Sequence, residues 1–138
     1  MTLVDSNVLL DIFTKTPIWW EWSLMQLEDA ALHGPLLIND VIFAETSIRF
    51  QSIEAFDASL VGAGIAFASI PRTALFLAGK ASIQYRTSGG VRSGVLPDFF
   101  IGAHAAVENL PLLTRDTRRY RNYFPTVTLI SPESEGSL

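Results

Sequence analysis

Five short, almost continuously apolar segments recur along the chain, each separated from the next by a longer segment of mixed polarity. Short apolar runs bounded by turn residues are typical of strands that are buried on both faces. We therefore predict strands at residues 2–4, 36–38, 66–70, 112–114 and 127–130. Because such strands alternate with helical segments, the pattern predicts a mainly parallel sheet that is covered by helices on both faces.

The longer segments carry helix signals. Thr16 precedes Pro17, which predicts an N-cap followed by the first helical residue. The predicted helices span residues 6–13, 17–32, 71–86 and 97–108, with others starting at 39–40 and 52 and a short turn capped by Asp116. The glycine-rich segment 87–94 predicts a flexible connection. No linker divides the chain, so we predict one α/β domain over residues 1–130 and a polar tail over residues 131–138.

Composition narrows the class of protein. With 138 residues, 49% hydrophobic and 17% charged, the chain can bury a core, which excludes a disordered protein. No window reaches the roughly 18–20 apolar residues that a membrane span needs, and there is no signal-peptide pattern. We therefore expect a cytoplasmic protein with no membrane partner. The absence of cysteine excludes thiol nucleophiles and thiolate zinc sites.

Four acidic residues lie at the edges of apolar segments and are the candidate catalytic and metal-binding residues. They are Asp5, Glu45, Asp98 and Asp116. In a parallel sheet, ligands bind outside the carboxyl ends of the strands, and that edge could collect all four side chains. A partly buried carboxylate is costly unless it is neutralised. Oxygen-only ligands suit Mg²⁺ or Mn²⁺, so the pattern indicates metal-assisted cleavage of a phosphodiester.

Each acid also has a simpler explanation. Asp98 and Asp116 could be helix caps and nothing more, Asp5 could belong to a strand-to-helix turn, and Glu45 could lie on a helix surface. Their joint placement at one edge of the sheet favours function over these alternatives.

Other polar candidates are set aside. Asp11 lies further along the first helix, away from the sheet edge, Asp40 is interpreted as an N-cap, and Asp57 lies on an ordinary helix. His33 is interpreted as a helix terminus and His104 as a structural residue.

Basic residues crowd around Asp116 although the net charge is −4. Arg115, Arg118 and Arg119 are the candidate RNA-binding residues, and Arg121 lies beside them. A negative total with a local basic cluster suits an enzyme that holds a metal in an acidic pocket and phosphates at its rim. The alternative is an ordinary solvated helix face.

Three tryptophans occupy four consecutive positions, Trp19, Trp20 and Trp22. They cannot all face one core, because adjacent helical residues point in different directions. Aromatic enrichment at a surface predicts an interface with another protein. A helix packed on two sides within one molecule is the alternative.

Four segments in order resemble a known family. They are residues 3–10 around Asp5, the Ala44-Glu45 pair, residues 97–105 around Asp98, and residues 110–116 ending at Asp116. Together they resemble the PIN domain, in the toxin branch that forms VapBC-type toxin–antitoxin pairs. The resemblance implies a PIN-like three-layer α/β/α sandwich with a mainly parallel central sheet.

The resemblance also implies an activity and partners. It implies an endoribonuclease that depends on Mg²⁺ or Mn²⁺, usually a homodimer, inhibited by a small cognate antitoxin. Carried over by position, Asp5, Glu45, Asp98 and Asp116 form the acidic quartet. Asn7 and Thr114 match polar positions that support the site.

Other functions remain open from the sequence. A phosphatase with an aspartyl nucleophile would use an acid such as Asp5, but it usually has a second acid two positions later, where this chain has Asn7. A PIN-like module that binds RNA or a protein without catalysis is a second alternative. A metal-dependent nuclease that acts on DNA is a third.

Overall fold

The computed structural model describes residues 1–90 and 96–132. Within these residues a five-stranded sheet is formed, with every neighbouring pair parallel. The strands are β1 (Thr2–Val4), β2 (Leu36–Ile38), β3 (Ile65–Phe67), β4 (Leu112–Leu113) and β5 (Leu129–Ile130). Their order across the sheet is β3-β2-β1-β4-β5. The predicted α/β class with a parallel central sheet is confirmed.

Seven helices connect these strands within the described residues. They are α1 (Ser6–Thr14), α2 (Trp20–Leu32), α3 (Asp40–Ser47), α4 (Ile53–Gly62), α5 (Arg72–Thr87), α6 (Leu96–Val107) and α7 (Arg118–Tyr123). Helices α5 and α6 pack against each other, α1 packs against α2 and α3, and α6 packs against α7. None of the helices in residues 1–90 and 96–132 is both long and apolar enough to cross a membrane.

Side-chain caps start several helices where the sequence predicts them. The Asn39 side chain accepts a hydrogen bond from the backbone N–H of Ile42, and Ser52 accepts from the N–H of Ala55. Each cap satisfies a backbone donor that the first helical turn leaves without a partner.

Other predicted boundaries are wrong. Helix α2 begins at Trp20 rather than at Pro17, because the Thr16 carbonyl closes a turn by accepting from the N–H groups of Trp19 and Trp20. Thr117, not Asp116, occupies the N-cap position of α7. Helix α5 extends one residue beyond its predicted end and ends at residue 87, and residues 91–94 of the predicted flexible segment lie outside the described residues. Most of the predicted tail, residues 133–138, also lies outside them.

The predicted role of Asp40 as an N-cap is also wrong. Asp40 is the first residue of α3 rather than the N-cap, and its carboxylate accepts a hydrogen bond from the backbone N–H of Ile70 at 2.7 Å. That contact ties the chain after β3 to the start of α3. Strand β3 correspondingly ends at Phe67, three residues earlier than predicted.

Strand β1 lies at the centre of the sheet and fixes where a ligand could bind. Leu3 and Val4 are fully buried, as are Leu112 and Leu113 on the neighbouring strand β4. The chain runs from β1 to β2 on one side, and only later adds β4 on the other side. The order of the strands therefore reverses between β1 and β4, and such a switch point opens a crevice at the carboxyl ends of the strands.

Candidate functional site

Asp5 lies directly after β1, at the switch point of the sheet, and is 5% exposed. One carboxylate oxygen accepts from the backbone N–H of Ser6 at 2.7 Å. The other oxygen accepts from the hydroxyls of Thr114 and Tyr120, each at 2.8 Å. Burial raises the pKa of Asp5 to about 6, although the three hydrogen bonds act in the opposite direction. Burial and the neighbouring Asp5 also raise the pKa of Tyr120, so its phenol is a donor at neutral pH.

Glu45 and Asp98 reach the same edge from two helices. Glu45 is half-buried on α3 and accepts a hydrogen bond from the Ser6 hydroxyl at 2.5 Å. Asp98 is in the first turn of α6, where Arg119 Nη1 donates to Asp98 Oδ2 at 2.9 Å. Ser6 follows Asp5 in the chain, so α1 and α3 are linked at the point where the two carboxylates approach the crevice.

The four predicted acids influence one another electrostatically. Burial is the main cause that raises the pKa of Asp98, and the negative charges of Asp116 and Glu45 raise it further, against the opposing effect of Arg119. The charge of Asp98 in turn raises the pKa of Asp5. The fold therefore brings the quartet close enough for the charges to interact. Asp116 differs from the other three because its side chain is exposed.

The two predicted supporting residues lie between Asp5 and the segment that carries Asp116. The buried Thr114 hydroxyl donates its one hydrogen to Asp5 and accepts from Asn7 Nδ2 and from the backbone N–H of Asp116, each at 3.2 Å. Asn7 Oδ1 accepts from the backbone N–H of Arg115 at 3.3 Å. One donor and two acceptor positions are all that a hydroxyl offers, so Thr114 is fully used.

The donor chemistry fits a hard cation. All four candidate ligands are carboxylates, and oxygen donors suit Mg²⁺ or Mn²⁺. Burial is the main cause that raises the pKa of Asp5 and of Asp98, and neighbouring negative charges, which a cation would offset, raise both further. Across residues 1–90 and 96–132, however, no three acidic or histidine side chains lie close enough together to form a finished metal site. Asp98 is instead paired with Arg119, and Glu45 with the Ser6 hydroxyl.

Arg115 has a structural partner. Its Nε donates to Asp11 Oδ2 at 2.7 Å and its Nη2 donates to Asp11 Oδ1 at 2.8 Å, which is a bidentate pair. The Ser23 hydroxyl donates to the same carboxylate at 2.8 Å. The guanidinium also lies 5.5 Å from the ring centroid of Trp19. The sequence assigned Asp11 no role, but its side chain is 1% exposed and joins α1, α2 and the segment after β4.

The other two candidate arginines differ from Arg115. Arg119 pairs with Asp98 and lies 5.8 Å from the ring centroid of Tyr85. Arg118 is exposed. An open cleft of about 320 Å³ adjoins this region and is lined by Arg115, Asp116, Thr117, Arg118, Arg121 and Asn122. The RNA role of these arginines stays a prediction.

Sequence reasoning missed Tyr120, which donates directly to Asp5. Tyr120 in α7 and Phe124 at the C-cap of this helix are both buried and lie four residues apart. This spacing was a usable signal for a buried helical face. The arginines on either side of Tyr120 obscured that signal.

His104 is buried and contacts Asn39, with the Asn39 Nδ2 and His104 Nδ1 atoms 3.1 Å apart. Burial lowers the pKa of His104. Because the Asn39 Oδ1 already caps α3, its Nδ2 is the donor and the neutral ring nitrogen accepts. The contact connects α3, which carries Glu45, to α6, which carries Asp98.

The tryptophan cluster is only partly buried. Trp19, Trp20 and Trp22 are each half-buried, and the rings of Trp19 and Trp22 meet edge to face at 5.9 Å between centroids. An interface at this surface stays a prediction.

Comparison with known proteins identifies the fold. A VapBC2 structure from Rickettsia felis aligns over 94% of this chain and 97% of that one, with 18% identity and a TM-score of 0.71. FitAcB from Neisseria gonorrhoeae aligns over 96% and 99%, with 18% identity and a TM-score of 0.65. A DNA-bound VapBC from Salmonella typhimurium aligns over 95% and 98%, with 14% identity and a TM-score of 0.68. No curated protein sequence matches the chain.

These structural similarities show a shared fold over almost the whole length of each chain. A family model described as the PIN domain matches residues 2–125, which include all four candidate acids. The resemblance of the four sequence segments to the PIN domain is thereby confirmed. The chain belongs to the PIN domain family.

Proposed function

We propose that this chain is a metal-dependent endoribonuclease and the toxin of a type II toxin–antitoxin pair. PIN domains are generally nucleases, and those nucleases generally use divalent metal ions. The observation that carries the proposal is the electrostatic coupling of four carboxylates at the switch point of the sheet. A binding module would not need to hold such charges together, since each costs free energy when it is buried.

The residues divide the work of hydrolysis. Asp5 and Asp98 would hold Mg²⁺ or Mn²⁺, with Asp116 as a further ligand and Glu45 orienting the attacking water or holding a second ion. Such an ion, when bound, lowers the pKa of water and stabilises charge on the scissile phosphate.

The contacts around Asp5 would prepare it for this role. Thr114, Tyr120 and the Ser6 N–H direct their hydrogens at the Asp5 carboxylate, which fixes its orientation. No covalent intermediate is needed.

The basic cleft beside Asp116 suits the RNA backbone. Its arginines surround an exposed acid that would face the metal, so phosphates bound there would approach the acidic edge. Arg118 is exposed and available for such contacts. This local positive charge would offset the overall charge of −4.

Partners follow from the same assignment. The structural neighbours include complexes named VapBC and FitAcB, and one described as a toxin–antitoxin complex from Klebsiella pneumoniae. By analogy this chain would act in the cytoplasm as a homodimer and would be inhibited by a small cognate antitoxin. The half-buried tryptophans supply one aromatic surface for such an association.

The test is cleavage of RNA by the purified chain with Mg²⁺ or Mn²⁺, beside an EDTA control. We expect Asp5→Asn and Asp98→Asn to lose activity by more than about a hundredfold, because each removes a metal ligand. Asp57→Asn is the matched control, since Asp57 is an exposed acid on α4. Full activity in both site variants would contradict the proposal. Cleavage of single-stranded DNA but not RNA would reassign the substrate.

A further inference from the structure

Asp98 already has a cationic partner from its own chain. Arg119 Nη1 donates to Asp98 Oδ2 at 2.9 Å, and the two side chains are 34% and 30% exposed. The pair lies at the acidic edge, since the charges of Asp116 and Glu45 both act on Asp98. A positive charge on α7 therefore partly neutralises a candidate metal ligand on α6.

A guanidinium and a divalent cation are poor neighbours on one carboxylate. Both are positive, and at such short separations their repulsion is strong in a partly buried site. The guanidinium also occupies a lone pair of Asp98 Oδ2 that a metal could use. Binding of a metal to Asp98 would therefore weaken the contact with Arg119, and the contact would weaken binding of the metal.

The contact between Arg119 and Asp98 can be broken at little cost in free energy. Arg119 makes a single hydrogen bond to Asp98, and its side chain is 34% exposed, with Tyr85 as its other side-chain partner. Its guanidinium also lies against Tyr85, at 5.8 Å from the ring centroid. Tyr85 is itself held by edge contacts with the rings of Phe99 and Tyr123, so it offers a fixed surface along which Arg119 can turn.

We infer that Arg119 and a divalent cation compete for Asp98, and that the guanidinium displaced by the cation turns to bind a phosphate of the RNA. This inference rests on the proposed function and adds an order of events to it. The arginine neutralises the acid before the metal binds, and neutralises the phosphate afterwards. One side chain would then couple loading of the metal to binding of the substrate.

The first test measures Mn²⁺ affinity in the absence of RNA, by electron paramagnetic resonance of free Mn²⁺. We expect Arg119→Gln to bind Mn²⁺ about fivefold more tightly than the unmodified chain, which is the size of a partly exposed ion pair that no longer has to be broken. Arg118→Gln is the matched control, since Arg118 is the adjacent exposed arginine on α7, and we expect its affinity within about twofold.

The second test measures RNA cleavage at saturating Mn²⁺. We expect Arg119→Gln to raise the KM for RNA about fivefold although it binds metal more tightly, and Arg119→Lys to restore part of the loss. A merely structural role for Arg119 would weaken metal binding and cleavage together.

The outcomes separate this inference from the proposed function. Unchanged or weaker Mn²⁺ affinity in Arg119→Gln would overturn the competition, while Mn²⁺-dependent cleavage by the unmodified chain would still support the nuclease. An unchanged KM for RNA would overturn the transfer of Arg119 to the phosphate. If neither the unmodified chain nor Arg119→Gln bound Mn²⁺, the inference and the proposed function would both be overturned.

Discussion

The two arginine–aspartate pairs beside the site differ in burial and geometry, although Arg115 and Arg119 lie only four residues apart. Arg115 makes two hydrogen bonds to Asp11, whose side chain is 1% exposed. Arg119 makes one hydrogen bond to Asp98, and the side chains of Arg119 and Asp98 are 34% and 30% exposed. Arg115 is 30% exposed, much like Arg119, so the two pairs differ in the aspartate, which is buried in one pair and accessible in the other.

The difference determines how much stability is lost when one partner of each pair is removed. Removing one partner of a buried pair leaves the other charge without compensation, whereas an exposed pair can exchange its partner for water or another ion. Asp11 sits away from the acidic edge and holds α1 and α2 to the segment that leads to Asp116. Asp98 lies at the acidic edge, where its single hydrogen bond to Arg119 leaves the carboxylate accessible to another ligand.

The largest expected effect is on the buried pair. Arg115→Met should lower the free energy of unfolding by about 3 kcal/mol, because the buried Asp11 carboxylate loses its cationic partner and keeps the neutral Ser23 hydroxyl as a donor. Urea unfolding followed by tryptophan fluorescence measures the change. Arg118→Met, on an exposed position, should stay within about 0.5 kcal/mol. A loss below about 1 kcal/mol for Arg115→Met would remove the contrast between the two pairs.

Asp5 extends the comparison to a buried aspartate that, among the described residues, is in no ion pair. Its pKa is about 6 in the folded protein and about 3.9 when unfolded, so between these values the folded state binds more protons. Stability therefore falls as the pH rises from about 4 to about 6, and the fall attributable to Asp5 is on the order of 2 to 3 kcal/mol.

Unfolding in urea at several pH values, with EDTA present, measures this slope. The free energy of unfolding of Asp5→Asn should depend less on pH than that of the unmodified chain over the same range, because asparagine does not titrate. Asp57→Asn, which removes an exposed acid, should keep the slope of the unmodified chain. Equal slopes for the Asp5→Asn variant and the unmodified chain would show that Asp5 titrates normally.

The smallest expected effect is on the exposed pair. Arg119→Gln should change the free energy of unfolding by less than about 1 kcal/mol, because both partners are partly solvated and screened. Raising NaCl to 1 M should reduce even this difference, whereas the cost of Arg115→Met should persist. A loss for Arg119→Gln as large as that for Arg115→Met would make Arg119 a structural residue.

Much of the fold could be predicted because its signals are local. Each strand is a short apolar run, and Asn39 and Ser52 start helices through caps that involve only neighbouring residues. The helix start predicted at Thr16-Pro17 is wrong because a local signal does not by itself determine the backbone path. The local cap signal was present, but the backbone formed a turn that delayed the helix to Trp20.

The acidic quartet could be predicted because the carboxyl ends of parallel strands share one edge. The contacts that Tyr120, Arg119 and Asp11 make around the site could not be predicted, since they join residues far apart in the chain. Nothing near Asp11 in the sequence shows that Arg115 reaches it. Such pairs depend on the crossing of elements, which a periodic pattern does not encode.

The hydrogen bonds around Asp5 join residues that are 109 and 115 positions apart. The central strand β1 is made before its neighbour β4, and the hydroxyls of Thr114 and Tyr120 are made only after more than a hundred further residues have been added. Synthesis runs from the amino end at roughly 5–20 residues per second. A nascent polypeptide on the ribosome therefore lacks the arrangement around Asp5 until Thr114 and Tyr120 have been made, and the finished arrangement appears only when the segment that carries them folds back onto β1.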